Sequence, residues 1–290
     1  NAFKVLGASY SMGRFLAKRL GRDIADLPYN VMVSEEVRKE LGEIKFFAAT
    51  DGNHGRAVAW TANQLKQHAT IYMPKGSSLT RLENIRKENA EASITDMNYD
   101  EAVRLASKHA DEANGVIVQD TAWEGYTEIP TWIIQGYTTM VVEALEQYGD
   151  IPTHVFLQAG VGSMASSVLG FLKAKFGDKC PTVVIMEPDV ADCFYQSAVR
   201  GEKYVVEGDM FTIMAGLACG EPNLIGYEII KDYAKGFVSC SDSVSAYGMR
   251  ILGNPLKGDD RVIAGESGAV GTGLLATLML EDEYKALRDE

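Results

Sequence analysis

From Lys45 onward the chain alternates two rhythms. Short β-branched or aromatic runs, KFFAAT (45–50), ATIYMP (69–74), ASITD (92–96) and VIVQD (116–120), are separated by amphipathic helical patterns at 56–67, 80–89 and 101–112. The order is β-α-β-α-β-α-β, and short connections between such elements imply a parallel sheet with helices on its faces. Functional loops then gather at the carboxyl ends of the strands, where ATDGNHG and VIVQDTAW fall. A helix from about 135 to 148 leads through Gly149-Asp150-Ile151-Pro152 into a second series. That series is HVFLQAG (154–160), a helix from Met164, TVVIMEPD (182–189) and RVIAGESGAVG (261–271), the last read as strand, tight turn and helix. No solenoid-length repeat and no low-complexity stretch interrupts it, so the fold class is α/β with two lobes.

Composition narrows the partners. A length of 290 residues favours two domains over one. The net charge of −12, with no basic stripe to offset it, repels a phosphate backbone, so nucleic acid is not the partner. No apolar run is long enough to cross a bilayer, so no membrane role is expected. Four cysteines without CxxC spacing and four scattered histidines form no metal pattern, so no metal is expected and reduced thiols in the cytoplasm are the default. A bridge between Cys193 and Cys219 stays open. The chain enters a chemically suggestive motif within four residues of a non-methionine start, and it reads as an excerpt of a longer protein.

Four places could carry chemistry together. Lys4 lies in an apolar setting, Ala2-Phe3-Lys4-Val5-Leu6, where desolvation lowers a lysine pKa and favours carbonyl chemistry; taken alone, it reads first as a surface lysine on an amphipathic helix. Asp51-Gly52-Asn53-His54-Gly55 sits between strand and helix, where Asp51 or Asn53 could simply cap. Two glycines flanking Asn-His suit a backbone that passes close to a planar ligand. Asp120 ends a strand. Gly160-Val161-Gly162-Ser163-Met164 opens a helix, and its bare N–H groups suit a phosphate. The same stretch matches GxGxxA through Ala165, with Glu187 ending the next strand as a possible ribose-binding acid, so a dinucleotide oxidoreductase stays open at this level. Trp123, Tyr126 and Trp132 are core or cleft aromatics alike.

Taken together these residues resemble the fold-type-II pyridoxal-phosphate enzymes, the group of threonine dehydratase and cysteine synthase, with its x-F-K lysine, S-x-G-N-H loop and glycine loop. Within that group, NAFKVLGASY, ATDGNHGRAVAW, DMNYDEAVRLA, VQDTAWEGYTEIPTWIIQGY, LQAGVGSMA, MAGLACGEPN and GESGAVG resemble the diaminopropionate ammonia-lyase family. The resemblance implies a two-domain fold like the tryptophan synthase β subunit. The large cofactor domain would comprise 1–43 and 146–290, incomplete at both ends, and the small domain 44–145.

It further implies that Lys4 carries pyridoxal 5′-phosphate and serves as base. Asn53 binds the ring hydroxyl oxygen, 160–164 the phosphate, and Glu266, in Glu266-Ser267-Gly268-Ala269, lies near the ring. Asp51 stands where most of the wider group has serine, and the resemblance assigns it to the D-substrate and the lysine to the L-substrate. Asp120 would hold the distal ammonium of 2,3-diaminopropionate. No residue is assigned to the pyridine nitrogen. A homodimer in the cytoplasm acting on a small amino acid is expected; the alternatives are a threonine or serine dehydratase and a noncatalytic cofactor-binding module.

Overall fold

A computed structural model describes residues 3–50 and 52–289. By packing the chain divides into two units, Asn1–Glu143 and Ala144–Glu290. The first 43 residues pack with the first unit in this division.

In chain order the first unit contains α1 (Lys4–Leu20), α2 (Tyr29–Met32), α3 (Glu35–Leu41), β1 (Lys45–Ala49), α4 (Asn53–Gln64), β2 (His68–Met73), α5 (Leu79–Arg86), β3 (Glu91–Ile94), α6 (Tyr99–Glu112) and β4 (Val116–Ile117). The long α7 (Glu128–Tyr148) follows. The four strands are parallel in the order β3-β2-β1-β4. Sequence explains the helix ends: Asn98 and Glu101 form a capping box on α6, and Ser34 accepts from Val37 N–H at the start of α3. Small residues set the spacing under the sheet, where Ala49, Ala102 and Ala106 are fully buried together and draw α6 close to β1.

The second unit runs β5 (His154–Gln158), α8 (Ser163–Phe176), β6 (Thr182–Pro188), α9 (Cys193–Arg200), α10 (Leu224–Tyr233), β7 (Gly236–Cys240), α11 (Asp242–Gly253), α12 (Glu266–Leu280) and α13 (Lys285–Asp289). Its three strands are parallel in the order β5-β6-β7. Met186, Met214, Leu217, Cys240, Val270 and Leu274 form a buried core there. Each unit is thus a parallel sheet with helices on it, as the alternation of periods predicts.

Three expectations change. RVIAG is not a strand: Val262 N–H goes to Leu252 O, Ile263 is 77% exposed, and no neighbouring strand pairs with it. The run VIVQD contributes only Val116 and Ile117 to the sheet, for a reason given below. Helix α7 starts at Glu128 instead of near 135, because Pro130 falls in its first turn, where a missing N–H costs nothing. Strand β7 was not anticipated; its short GFVSC run lacks the flanking signals of the others.

Candidate active site

Helix α1 begins at Lys4 and crosses α7 where two glycines meet: a Cβ on Gly136 would lie 2.6 Å from Leu6 O and 2.9 Å from the Gly7 Cα. That approach brings the first turn of α1 against Tyr137, which is fully buried and stacks edge-on with Phe3, ring centroids 5.1 Å apart. Lys4 Nζ lies 5.4 Å from the Phe3 ring centroid and 5.8 Å from that of Tyr137. The apolar setting read from sequence is therefore aromatic.

The polar partner of Lys4 is Asp120. Its Oδ2 accepts from Lys4 Nζ at 2.5 Å, and the two side chains are 8% and 22% exposed. His54, 4% exposed, places Nδ1 3.7 Å from the same oxygen. Burial alone opposes ionisation of Asp120, but the imidazole of His54, the Lys4 ammonium and the N–H of Asp120 itself outweigh it, so the carboxyl is held well below the ordinary carboxylate range. The arrangement keeps a carboxylate charged in a nearly dry place beside an amine, which suits holding or moving a proton on an ammonium group.

The loop before α4 is shaped by contact. A Cβ on Gly55 would lie 2.2 Å from Thr50 Cγ2 and 2.6 Å from Ile71 Cγ2, so only glycine lets α4 start this close to β1 and β2. Asn53 is the first residue of α4 and is exposed, so its amide is available to a ligand. Asp51 lies outside the described residues.

In the second unit the loop between β5 and α8 offers backbone. Gly162 has φ 91°, and a Cβ there would stand 2.4 Å from Phe194 Cζ. The helix that follows has 14 residues and no acidic residue in its first turn. Ser163 is buried, and its Oγ accepts from Asn223 Nδ2 at 2.9 Å, while Asn223 N–H donates to Val161 O at 2.8 Å. Asn223 thus clamps the loop from outside and caps α10 with its own Oδ1. Gly160 is pressed by another segment, since a Cβ there would lie 3.2 Å from Gly216 O. A Cβ on Gly216 would in turn lie 3.3 Å from Ser267 Oγ, so the start of α12 with exposed Glu266 is a near neighbour of the loop. Met164 continues α8.

Glu187 answers the dinucleotide alternative. It is 1% exposed, and its carboxylate accepts from Phe194 and Tyr195 N–H at 2.9 and 2.7 Å, capping α9. It holds the helix whose Phe194 braces Gly162, and no oxygen is left for a ribose. Cys193 is buried and Cys219 half-buried, both as free thiols. Trp123 and Tyr126 stack at 4.2 Å in a tight turn. Trp132 lines a cavity of about 990 Å³ with Val5, Ser9, Arg14 and Trp60, a lining that includes neither Lys4 nor Asp120. Sequence reasoning did not single out Tyr137, Asn223, Gln119 or the role of His54, although all four lie in the family-like segments. Among the described residues no cluster could hold a metal ion, and no helix is long and apolar enough to cross a membrane.

Comparison with known proteins points the same way. Residues 2–286 match the family model of pyridoxal-phosphate dependent enzymes. The chain is 52% identical over 294 residues to a diaminopropionate ammonia-lyase of Salmonella typhimurium, covering 99% of this chain and 73% of that protein. The structure is similar to two crystal structures of diaminopropionate ammonia-lyase from Escherichia coli, one holo and one in complex with D-serine. Each has a TM-score of 0.91 at 48% identity and covers 100% of this chain and 72% of that chain.

Proposed function

The chain belongs to the diaminopropionate ammonia-lyase family of pyridoxal-phosphate-dependent enzymes, and from that premise we infer that it converts 2,3-diaminopropionate and water to pyruvate and two ammonia. The observation that carries this reading down to residues is the buried contact of Lys4 with Asp120, an amine and a carboxylate held 2.5 Å apart beside aromatic rings.

The residues present fit the cofactor. Lys4 offers an amine shielded by Phe3 and Tyr137, and the buried Tyr137 hydroxyl lies beside it. The turn at 160–164 offers successive backbone N–H groups at the start of a long helix, which suits a phosphate dianion. Exposed Asn53 suits a ring oxygen, and Glu266 stands at the start of α12 beside the glycine loop. Pyridoxal phosphate, when bound, supplies an electron sink that allows an amino acid to lose its α-proton and then its β-substituent.

The chain supplies the proton handling. Lys4 Nζ would hold the cofactor's carbonyl carbon, and as a free amine it would accept the α-proton on one face. Asp51 is assigned to the opposite face, which accounts for a carboxylate where the wider group has serine. Asp120, charged at neutral pH, holds the distal ammonium of the substrate and can receive or return its proton as ammonia departs. An ion-paired carboxylate favours a diamino acid over threonine, whose hydroxyl brings no charge to it. By the same resemblance the enzyme is a cytoplasmic homodimer.

The test is the ultraviolet–visible spectrum of the full-length protein before and after D- and L-2,3-diaminopropionate, with pyruvate followed by a coupled assay. A band at about 410–420 nm, ordinary for lysine-bound cofactor, that gives way to pyruvate and ammonia supports the reading. A protein that takes up the cofactor yet turns over threonine faster than either diaminopropionate rejects it.

A further inference from the structure

The strands β1 and β4 stop pairing in an unusual way. In a parallel ladder the rung at Ala48 and Val118 would consist of Val118 N–H to Phe47 O and Ala49 N–H to Val118 O, and the next would take Asp120 N–H to Ala49 O. The first of these bonds forms, at 2.7 Å. From there side chains stand in for backbone. Ala49 N–H donates to Gln119 Oε1 at 3.0 Å, and Ala49 O accepts from Gln119 Nε2 at 2.9 Å. Val118 O, released from Ala49, receives Nε2–H of His54 at 2.8 Å. The carboxamide thus occupies at Ala49 O the place that Asp120 N–H would take in a continued ladder.

The exchange leaves little unsatisfied. Gln119 is fully buried, and its Nε2 also donates to Tyr99 Oη at 2.8 Å. On the outer edge of β4, the Tyr126 hydroxyl accepts from Gln119 N–H at 2.8 Å and donates to Ile117 O at 3.0 Å. On the other edge of β1 the ladder continues undisturbed to Thr50 N–H and Tyr72 O at 3.0 Å. The irregularity is therefore confined to the side facing Asp120. The carboxamide has the donor and acceptor of a peptide group, so it completes the sheet while the main chain turns away.

We propose that His54 and Gln119 are positioning residues for the elimination: by exchanging the last rung between β1 and β4 they turn Asp120 toward Lys4 and fix its place relative to the Thr50–Gly55 loop. The two residues come one from each side of the break. His54 stands in the first turn of α4 beside Asn53 and is bonded to Val118 O just past β4; Gln119, next to Asp120, is bonded to Ala49 at the end of β1. Any shift of the start of α4 or of the end of β1 is thus transmitted to the segment that carries Asp120 through two side chains. Loss of either bond leaves a buried backbone group unpaired and lets the strand ends close onto a regular ladder, which would draw Asp120 N–H, and the side chain with it, away from Lys4.

This inference rests on the lyase reading for its kinetic part, but its structural part can be read without cofactor. The full-length enzyme is compared with Gln119→Leu, Gln119→Glu, His54→Leu and His54→Gln. Gln119→Leu and His54→Leu should lower kcat on both enantiomers by about 10²-fold, the usual cost of misplacing a catalytic group by an ångström, with KM changed far less. His54→Gln keeps a donor where Nε2 stands and should retain kcat within about fivefold, a rescue in the sense of keeping one hydrogen bond. Gln119→Glu, which regains a donor only when protonated, should recover kcat as pH falls from 8 to 6; this variant decides the matter if Gln119→Leu does not fold. In the cofactor-free proteins, hydrogen exchange of 46–50 and 116–121 should quicken in both leucine variants and not in His54→Gln, while 68–73 stays protected. Wild-type kcat in Gln119→Leu, or a His54→Gln as poor as His54→Leu, overturns the proposal. An inactive wild-type enzyme would reject the lyase reading instead, and the exchange pattern alone would then decide whether the rung is built as described.

Discussion

The turn from β1 into α4 and the turn from β5 into α8 both carry a parallel strand into a helix over a glycine-rich loop, yet they are built for different work. The first presents side chains: exposed Asn53, buried His54, and beside them Asp120 on the adjoining strand. The second presents backbone, with Gly162 at φ 91° and Ser163 tied back to Asn223. Where side chains act, the surrounding polar atoms are bonded to side chains of neighbouring strands, and charge is balanced within a few ångströms. Where backbone is presented, the loop is braced by apolar and amide groups, Phe194 and Asn223. One strand-to-helix grammar thus presents titratable side chains in one unit and a backbone turn in the other.

Removing the amine of the first turn should separate the two roles most sharply. Lys4→Ala should lower turnover by about 10³-fold or more, since it deletes both cofactor anchor and base, and should abolish the lysine-bound absorption band. Phosphate-dependent retention of free cofactor by the second loop should survive, measured by equilibrium dialysis. A lysine-bound absorption band in this variant that borohydride bleaches while fixing the cofactor covalently to the protein would remove Lys4 from its role.

Asp120→Asn comes next. It keeps shape and one acceptor but loses the charge, so kcat on both enantiomers should fall by about 10²–10³-fold, while the 410–420 nm band, set by about the same chemistry as before, persists. Asp51→Asn should be selective instead: a loss of about 10²-fold on the D-substrate against little change on the L-substrate. Equal losses on both would reject the assignment of two faces to two bases.

The second loop should respond in stability and cofactor affinity before rate. Gly162→Ala forces a Cβ into Phe194 at a left-handed φ, which should cost about 1–3 kcal/mol, read by denaturant unfolding, and weaken cofactor binding more than it alters kcat. The smallest effect is a pH slope. Burial, against two backbone N–H bonds, pushes the Glu187 carboxyl up from 4.5 to about 8. Across that interval the folded chain keeps a proton the unfolded chain has released, so stability falls as pH rises. Glu187→Gln should flatten the Tm profile between pH 5 and 8; an unchanged slope would place the proton elsewhere.

Much of this was legible along the chain because local patterns carry it. Alternating periods give the two parallel sheets, and Gly160-x-Gly162-Ser163 after a strand announces a helix start fit for a phosphate. Lys4 and the loop at 51–55 drew attention through composition alone. Other features had no local sign. VIVQD reads as a full strand, and nothing in those letters says that Gln119 will replace the backbone of its own strand at Ala49. RVIAG reads as a strand as well, but a strand needs a partner, and Val262 finds Leu252 O instead. Glu187 sits where a ribose-binding acid belongs by spacing and caps α9 by geometry.

What the sequence by itself determined is what depends on neighbours a few positions away: the periodicity of helices and strands, their caps, and the kinds of group available at strand ends. Tertiary structure decided what depends on partners far along the chain. Lys4 and Asp120 are 116 positions apart, and only the folding of α1 and β4 around β1 makes them an ion pair. The same folding gives His54 a carbonyl 64 positions away and Gln119 a peptide group 70 positions away. A buried polar group must be satisfied by whatever the fold brings within hydrogen-bond reach, and that partner is written in space, not in the order of residues.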